Sequence, residues 1–189
     1  ILFLASLGMG LCGGPVYLAG ELTTATNIGL IYSSAPLLMA VMAFFVFKES
    51  LNLNQSLGLF LGLIGVLIIL IKADFNLLMR LQFNLGDLWI VLATYSFSIY
   101  SLGIKHLEYQ LSQVQRFGAM AIGGALWHLP FVAMEIITRG PWPELTPTIA
   151  TALVVVVFFA SIGAYLSYGF IVVHLGTAIA GTTLYLSPI

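Results

Sequence analysis

Hydroxyl and aromatic side chains recur at helical spacing in two apolar stretches of this 189-residue chain. Ser96 and Tyr100 share one face of the first stretch, and Ser161, Tyr165 and Tyr168 follow the same spacing in the second. These groups carry no fixed charge, and they hold a ligand through hydrogen bonds and ring contacts. They therefore suit reversible binding of a neutral or zwitterionic metabolite.

The composition around these faces determines which solvent they meet. Hydrophobic residues make up 60% of the chain, charged residues only 7%, and the mean hydropathy is +1.08. A soluble domain carries roughly 25% charged residues, so most of this surface must face lipid. A net charge of −1 leaves no basic field for nucleic acid, and the single Cys12 excludes an internal disulfide. We predict a multi-pass protein of the cell (inner or plasma) membrane, without a cofactor, a metal or a nucleic-acid partner.

The elements that position these faces are membrane-spanning helices, each needing about 20 mostly apolar residues. Charge-free runs predict an all-α polytopic bundle with seven crossings, near 1–20, 25–47, 55–71, 88–104, 117–138, 149–173 and 177–189. Lys and Arg are divided evenly between the two sets of loops, so charge does not set the orientation. Because the chain begins and ends inside apolar segments, we expect a fragment of a longer membrane protein.

A short pattern recurs at a distance of 152 residues, where Gly29 and Pro36 correspond to Gly181 and Pro188. Four predicted crossings lie between the two copies, so the second copy is five crossings further along the chain. An odd number of crossings turns the second copy toward the opposite membrane face, which is the inverted-repeat architecture of many secondary transporters. Each proline also frees a backbone carbonyl. At Pro36 one alternative is a simple kink, in which Ser33 or Ser34 bonds the freed carbonyl. The other is that Pro36 and Pro188 flank a central cavity at equivalent depths.

The residues also resemble a known family. The segment 21–36, the pair Lys48-Glu49 and the glycines Gly58, Gly62 and Gly65 are similar to the second half of an EamA domain of the drug/metabolite transporter superfamily. Resemblance to the start of a second such domain rests on Gly86-Asp87, 96–100 and Lys105, and then on Ser161, Tyr165, Gly176 and Pro188. Lys48 departs from the pattern, since the family usually has Gly before this Glu.

This resemblance implies ten helices in two inverted five-helix repeats, both incomplete here. Residues 1–71 would be the last three helices of the first repeat, 72–85 a loop, and 86–189 the first four helices of the second. It further implies a carrier or exporter that moves small metabolites such as amino acids by alternating access. A non-transporting scaffold or receptor remains an alternative, and a membrane-embedded enzyme is a weaker one because the three histidines lack ligand spacing. Whether the protein forms a homo-oligomer stays open.

Two sets of candidate residues follow. The substrate-path candidates are Asn27, Ser34, Pro36, Ser96, Tyr100, His128, Ser161, Tyr165, Tyr168, Thr183 and Pro188. The helix-packing candidates are Gly29, Gly58, Gly62, Gly65 and Gly181, because small residues let helices approach closely. His128 also fits a structural role, as a histidine hydrogen-bonded to a neighbouring helix or placed near the interface. The carboxylates, Asp87 among them, are expected at helix ends, where exposure to water makes a charge inexpensive.

Overall fold

The computed structural model describes residues 2–70, 84–106, 111–140 and 144–186, and this part of the chain is helical and contains no strand. Six helices are long and apolar enough to cross a membrane: α1 Leu2–Gly20, α2 Ala25–Phe47, α3 Leu53–Leu70, α4 Leu85–His106, α5 Gln113–Arg139 and α6 Pro147–Leu175. They confirm the predicted all-α polytopic bundle. For the predicted crossing 177–189, the described part is a short helix, α7 Thr177–Thr182, with a 3₁₀ turn Thr183–Leu186. Most of the predicted loop 72–85 and Pro188 lie outside the described residues.

Polar residues at the membrane surface start several of these helices. The Thr24 hydroxyl accepts the Asn27 N–H at 3.2 Å before α2, and Thr146 does the same for Ile149 before α6. At α5, Ser112 and Gln115 form a capping box in which each side chain bonds the other's backbone N–H. Caps of this kind satisfy the free N–H groups of a first turn, so they determine where each span begins.

The helix α4 occupies the centre of the bundle. It packs against α1, α2, α6 and α7, and more than half of its span is buried. Its buried hydroxyls Thr94, Ser98 and Ser101 each donate to the carbonyl four residues earlier, at 2.8 Å. The apolar outer faces of α3, α5 and α6 are largely exposed, as lipid-facing surfaces are.

The spans α1 and α6 each contain a π-helical segment, Ser6–Leu11 in α1 and Val156–Gly163 in α6. Moving the first segment by 152 residues places it at 158–163, within the second. The same shift carries the start of α2 onto the start of α7, from residue 25 to residue 177. The spacing between the two Gly–Pro patterns therefore recurs in two features of the backbone.

The helix α2 is interrupted at Ser33 and Ser34, whose hydroxyls donate to the carbonyls of Leu30 at 2.7 Å and Ile31 at 2.6 Å. Pro36 lies in the first turn of the helix that restarts at Ala35. The two serines thus bond carbonyls one and two residues before Tyr32, whose carbonyl is the one that Pro36 leaves without its helical donor.

Candidate functional site

Three tyrosines from α4 and α6 meet at the centre of the bundle, and we call Tyr100, Tyr165 and Tyr168 the tyrosine cluster. The Tyr165 hydroxyl donates to the Gly8 carbonyl of α1 at 2.8 Å, and the Tyr168 hydroxyl lies 2.7 Å from the Ser101 hydroxyl. Tyr100 is 2% exposed, with its ring centroid 6.2 Å from that of Tyr165. The cluster thus links both predicted halves of the chain through uncharged polar groups.

The backbone around the cluster explains how these contacts arise. Gly8 lies in the π segment of α1, where the Cys12 N–H bonds the carbonyl five residues earlier, that of Leu7, at 3.0 Å. Tyr165 follows the π segment of α6 by two residues. A Cβ atom at Gly8 would overlap the Tyr100 ring, so glycine is required for the close approach of α1 to α4.

Other predicted path residues lie around or apart from the cluster. Ser96 is buried on α4, and Ser161 is partly buried in the π segment of α6. Ser34 and Thr183 are bonded to carbonyls of their own helices, Ile31 and Ala180. Three of the predicted path residues thus lie together in the tyrosine cluster, whereas Ser34 and Thr183 are engaged within their own helices.

His128 lies on α5 with its Nδ1 atom 2.8 Å from the Gly124 carbonyl of the same helix. Since a carbonyl only accepts, Nδ1 carries the proton of that bond. The Trp127 ring beside it is 4.8 Å from that of Phe131. His128 is therefore bonded within its own helix and not to a neighbouring one, and a role on the substrate path stays a prediction.

Asp87 differs from the expectation of an exposed helix-end carboxylate. It lies at the first turn of α4 as predicted, yet it is only 1% exposed. Its carboxylate accepts from the Thr23 hydroxyl at 2.5 Å, from the Asn27 amide at 3.1 Å and from the Asn84 backbone N–H at 2.9 Å. We call these four residues the Asp87 cluster; it explains Asn27, which belongs to this network and not to the tyrosine cluster.

The other end of α4 carries an ion pair with the segment after α2. Lys105 Nζ lies 2.5 Å from Glu49 Oε1, and His106 Nε2 lies 3.0 Å from the same oxygen. Lys48 precedes Glu49 with φ of 57°, a left-handed conformation that glycine adopts without steric cost. This backbone conformation explains why the family resemblance expects a glycine at position 48.

The predicted packing glycines fall into two groups. A Cβ atom at Gly62 would lie 2.6 Å from the Tyr185 ring, and one at Gly181 would lie 3.0 Å from Pro36 Cα. Gly29 likewise abuts Leu70, whereas Gly58 and Gly65 have no such neighbour among the described residues. Of the predicted Gly58–Gly62–Gly65 face, only Gly62 is in tight contact within the described part of the chain.

The described residues contain no group of three His, Cys, Asp or Glu side chains able to hold a metal. What they do contain is a polytopic helical membrane protein with an uncharged tyrosine cluster at its centre and a buried carboxylate, Asp87, at one end of α4. Residues 1–71 match the EamA-like transporter family. This match and the transporter-named relatives described next support an EamA-like protein of the drug/metabolite transporter superfamily.

Curated relatives extend this similarity over most of the chain. It is 30% identical over 156 residues to a WAT1-related chloroplastic protein of Arabidopsis thaliana, covering 77% of this chain and 35% of that protein. It is 24% identical over 115 residues to the uncharacterized transporter YetK of Bacillus subtilis, covering 61% of this chain and 35% of the relative. An uncharacterized transporter of Methanothermobacter thermautotrophicus is 27% identical over 120 residues. The similarity covers 63% of this chain and 35% of that transporter.

The matched region spans about a third of the length of these relatives. No solved structure matches the chain.

Proposed function

We propose that this chain is part of a carrier that moves small neutral or zwitterionic metabolites, such as amino acids, across the cell membrane by alternating access. The observation that carries the proposal is the tyrosine cluster, where hydroxyls and rings of the second predicted half meet the Gly8 carbonyl of the first half inside the bundle. Uncharged polar groups buried between lipid-facing helices supply weak hydrogen bonds to a passing solute without holding a charge in the membrane.

The recurring spacing of 152 residues supports two inverted repeats as the moving parts. It relates the π segments of α1 and α6, the starts of α2 and α7, and the glycines Gly29 and Gly181. Each second feature lies five crossings further along the chain than the first, so equivalent elements would run in opposite directions. Rocking of one repeat against the other would then open the tyrosine cluster to each side in turn.

Counterflow in proteoliposomes tests the carrier directly. The full-length protein is reconstituted into liposomes. These are loaded with unlabelled neutral amino acids and then placed in a solution of labelled ones. A carrier accumulates label transiently because the internal solute drives exchange, whereas protein-free liposomes do not. Binding of these solutes to the detergent-solubilised protein without any counterflow would contradict the proposal and favour a receptor.

A further inference from the structure

A cavity of about 290 Å³ lies at the Lys105 end of α4. Ala40, Ala43 and Glu49 line it on the α2 side, and Lys105 and residues 175–179 line it on the other. This volume lies at the lower limit of ligand pockets, which is roughly 300 Å³, so the space would fit only a small metabolite. The cavity is distinct from the tyrosine cluster, none of whose members lines it.

The cavity wall carries both signs of charge. The ion pair between Lys105 and Glu49 contributes side chains that are 26% and 30% exposed, so both charged groups are within reach of water. Ala40 and Ala43 give the α2 wall an apolar part. A ligand with two opposite charges and a small apolar body would match this arrangement.

Thr177 provides a second, independent indication of a ligand. It lines the cavity, is fully buried, and its hydroxyl has no hydrogen-bond partner among the described residues. Buried hydroxyls are nearly always bonded, so an unpartnered one beside a cavity points to a partner that arrives from outside.

Gly176 lies beside Lys105 on the α7 side of the cavity. Its φ of 92° favours glycine, and a Cβ atom there would lie 3.4 Å from Lys105 Nζ. A Cβ atom at this distance is in ordinary van der Waals contact, so Gly176 is the residue of α7's N-terminal side that borders the ammonium group.

We propose that this cavity binds the head group of a zwitterionic small molecule that carries one carboxylate and one ammonium group. The ligand carboxylate takes Lys105 Nζ and the Thr177 hydroxyl as donors, and its ammonium group pairs with Glu49. The Glu49–Lys105 pair is thus exchanged for two pairs, and no charge is left without a partner. A simple acid would replace Glu49 at Lys105 and leave Glu49 with only the neighbouring His106, and a simple amine would leave Lys105 without a carboxylate, so each makes one charge pair fewer than the zwitterion. The inference rests on the proposed function, because the site lies at one mouth of the proposed path.

The test compares three ligands with the same apolar body. L-Leucine carries both charges, isopentylamine lacks the carboxylate, and isocaproate lacks the ammonium group. Isothermal titration of the full-length protein in detergent should show leucine binding at least about tenfold more tightly than either analogue, since each analogue breaks one pair.

Variants then assign the binding to this cavity. Glu49→Gln and Lys105→Gln should each weaken leucine binding by about tenfold, since each leaves a charge unpaired. Thr177→Val keeps the shape but removes the hydroxyl, so it should weaken binding several-fold without lowering the unfolding temperature. Lys48→Gln is the matched control, because it removes an exposed neighbouring charge that does not line the cavity.

Three results would overturn the site: equal binding of the three ligands, no binding of leucine, or wild-type binding by all three cavity variants. The Glu49–Lys105 ion pair would then be a structural bridge only. Counterflow separates this inference from the carrier proposal. Counterflow of another amino acid with no leucine binding would refute the site alone. Leucine binding that the variants abolish, with no flux of any amino acid in proteoliposomes, would refute the carrier alone.

Discussion

The carboxylate of Asp87 is buried in a membrane protein and is held by neutral donors from Thr23, Asn27 and Asn84. Hydrogen bonds to an ionised acceptor are stronger than neutral ones, so this network joins the start of α4 firmly to the turn between α1 and α2. The residue position was predictable from the sequence, but the burial was not. Two of its partners lie 60 and 64 residues away in the chain, beyond any local pattern.

Replacing Asp87 by Asn should therefore destabilise the protein. An amide removes the charge and turns one acceptor atom into a donor that faces the Thr23 or Asn27 group, at a cost of about 1–3 kcal/mol. Thermal unfolding of the full-length protein in detergent should show a lower midpoint. Glu144→Gln, at an exposed carboxylate, is the control and should leave the midpoint unchanged. An Asp87→Asn protein as stable as the control would contradict the role of the network.

Tyr165→Phe should impair transport more than stability. The change removes one hydrogen bond to Gly8, worth about 1 kcal/mol, and keeps the ring contacts. If the hydroxyl also contacts the solute, the concentration for half-maximal counterflow should rise several-fold. Tyr95→Phe removes a hydroxyl from a half-exposed ring on the same bundle and serves as the comparison. Identical counterflow from the two variants would remove Tyr165 from the proposed path.

At the scale of helices, hydrophobic length alone was enough to predict six of the spans, because the bilayer thickness sets the length of a crossing helix. The π segments of α1 and α6 were not predictable. Val156–Gly163 reads as an ordinary apolar run, and its widened turns depend on packing against neighbouring helices. The interruption of α2 was anticipated from Pro36, since proline disfavours a continuous helix at a known position.

The glycines of α3 allow a comparison within one helix. Gly62→Leu would force a side chain into the Tyr185 ring, whose hydroxyl lies 3.3 Å from the Leu59 carbonyl, so the contact between α3 and the segment after α7 should be lost. Expression and thermal stability should fall together. Gly65→Leu, three residues further along, meets no described neighbour and should behave like the wild type. An equal loss of expression and thermal stability from the two substitutions would show that close packing against Tyr185 is not what makes Gly62 necessary.

Deleting Phe159 tests whether a π segment is needed for movement. A π turn contains one residue more than an α turn, so removing this 74%-exposed residue should restore α geometry. The parts of α6 before and after the deletion should keep the same faces toward their neighbouring helices. We expect a folded protein with strongly reduced counterflow. Deleting Leu153 instead, in the α-helical part of α6, rotates the residues before it by about 100° relative to those after it. This change should prevent folding. Full counterflow after loss of Phe159 would show that the widened turns are not required.

Across the whole molecule, α4 joins the two predicted halves at both of its ends. Asp87 bonds the turn before α2, and Lys105 pairs with Glu49 after α2, about 27 Å away at 1.5 Å of helical rise per residue. The two Gly–Pro patterns of the sequence predict an inverted repeat. They do not predict these connections, because each joins residues more than 50 positions apart. In an alternating-access carrier, the connection at an end must weaken whenever that end opens.

Covalent closure of the Lys105 end should accordingly stop the cycle. In a full-length protein freed of its other cysteines, Glu49→Cys and Lys105→Cys can be joined by a short reagent that reacts with two thiols, since the native side chains meet at 2.5 Å. Counterflow should fall to the level of protein-free liposomes after treatment, because the path can no longer open on that side, and a cleavable reagent should restore it on reduction. Each single-cysteine variant treated with the same reagent controls for labelling and for loss of the charge. Cross-linked protein that still exchanges solute at the rate of the untreated double variant would show that this end of α4 does not move, and that the halves are not the rocking units of a carrier.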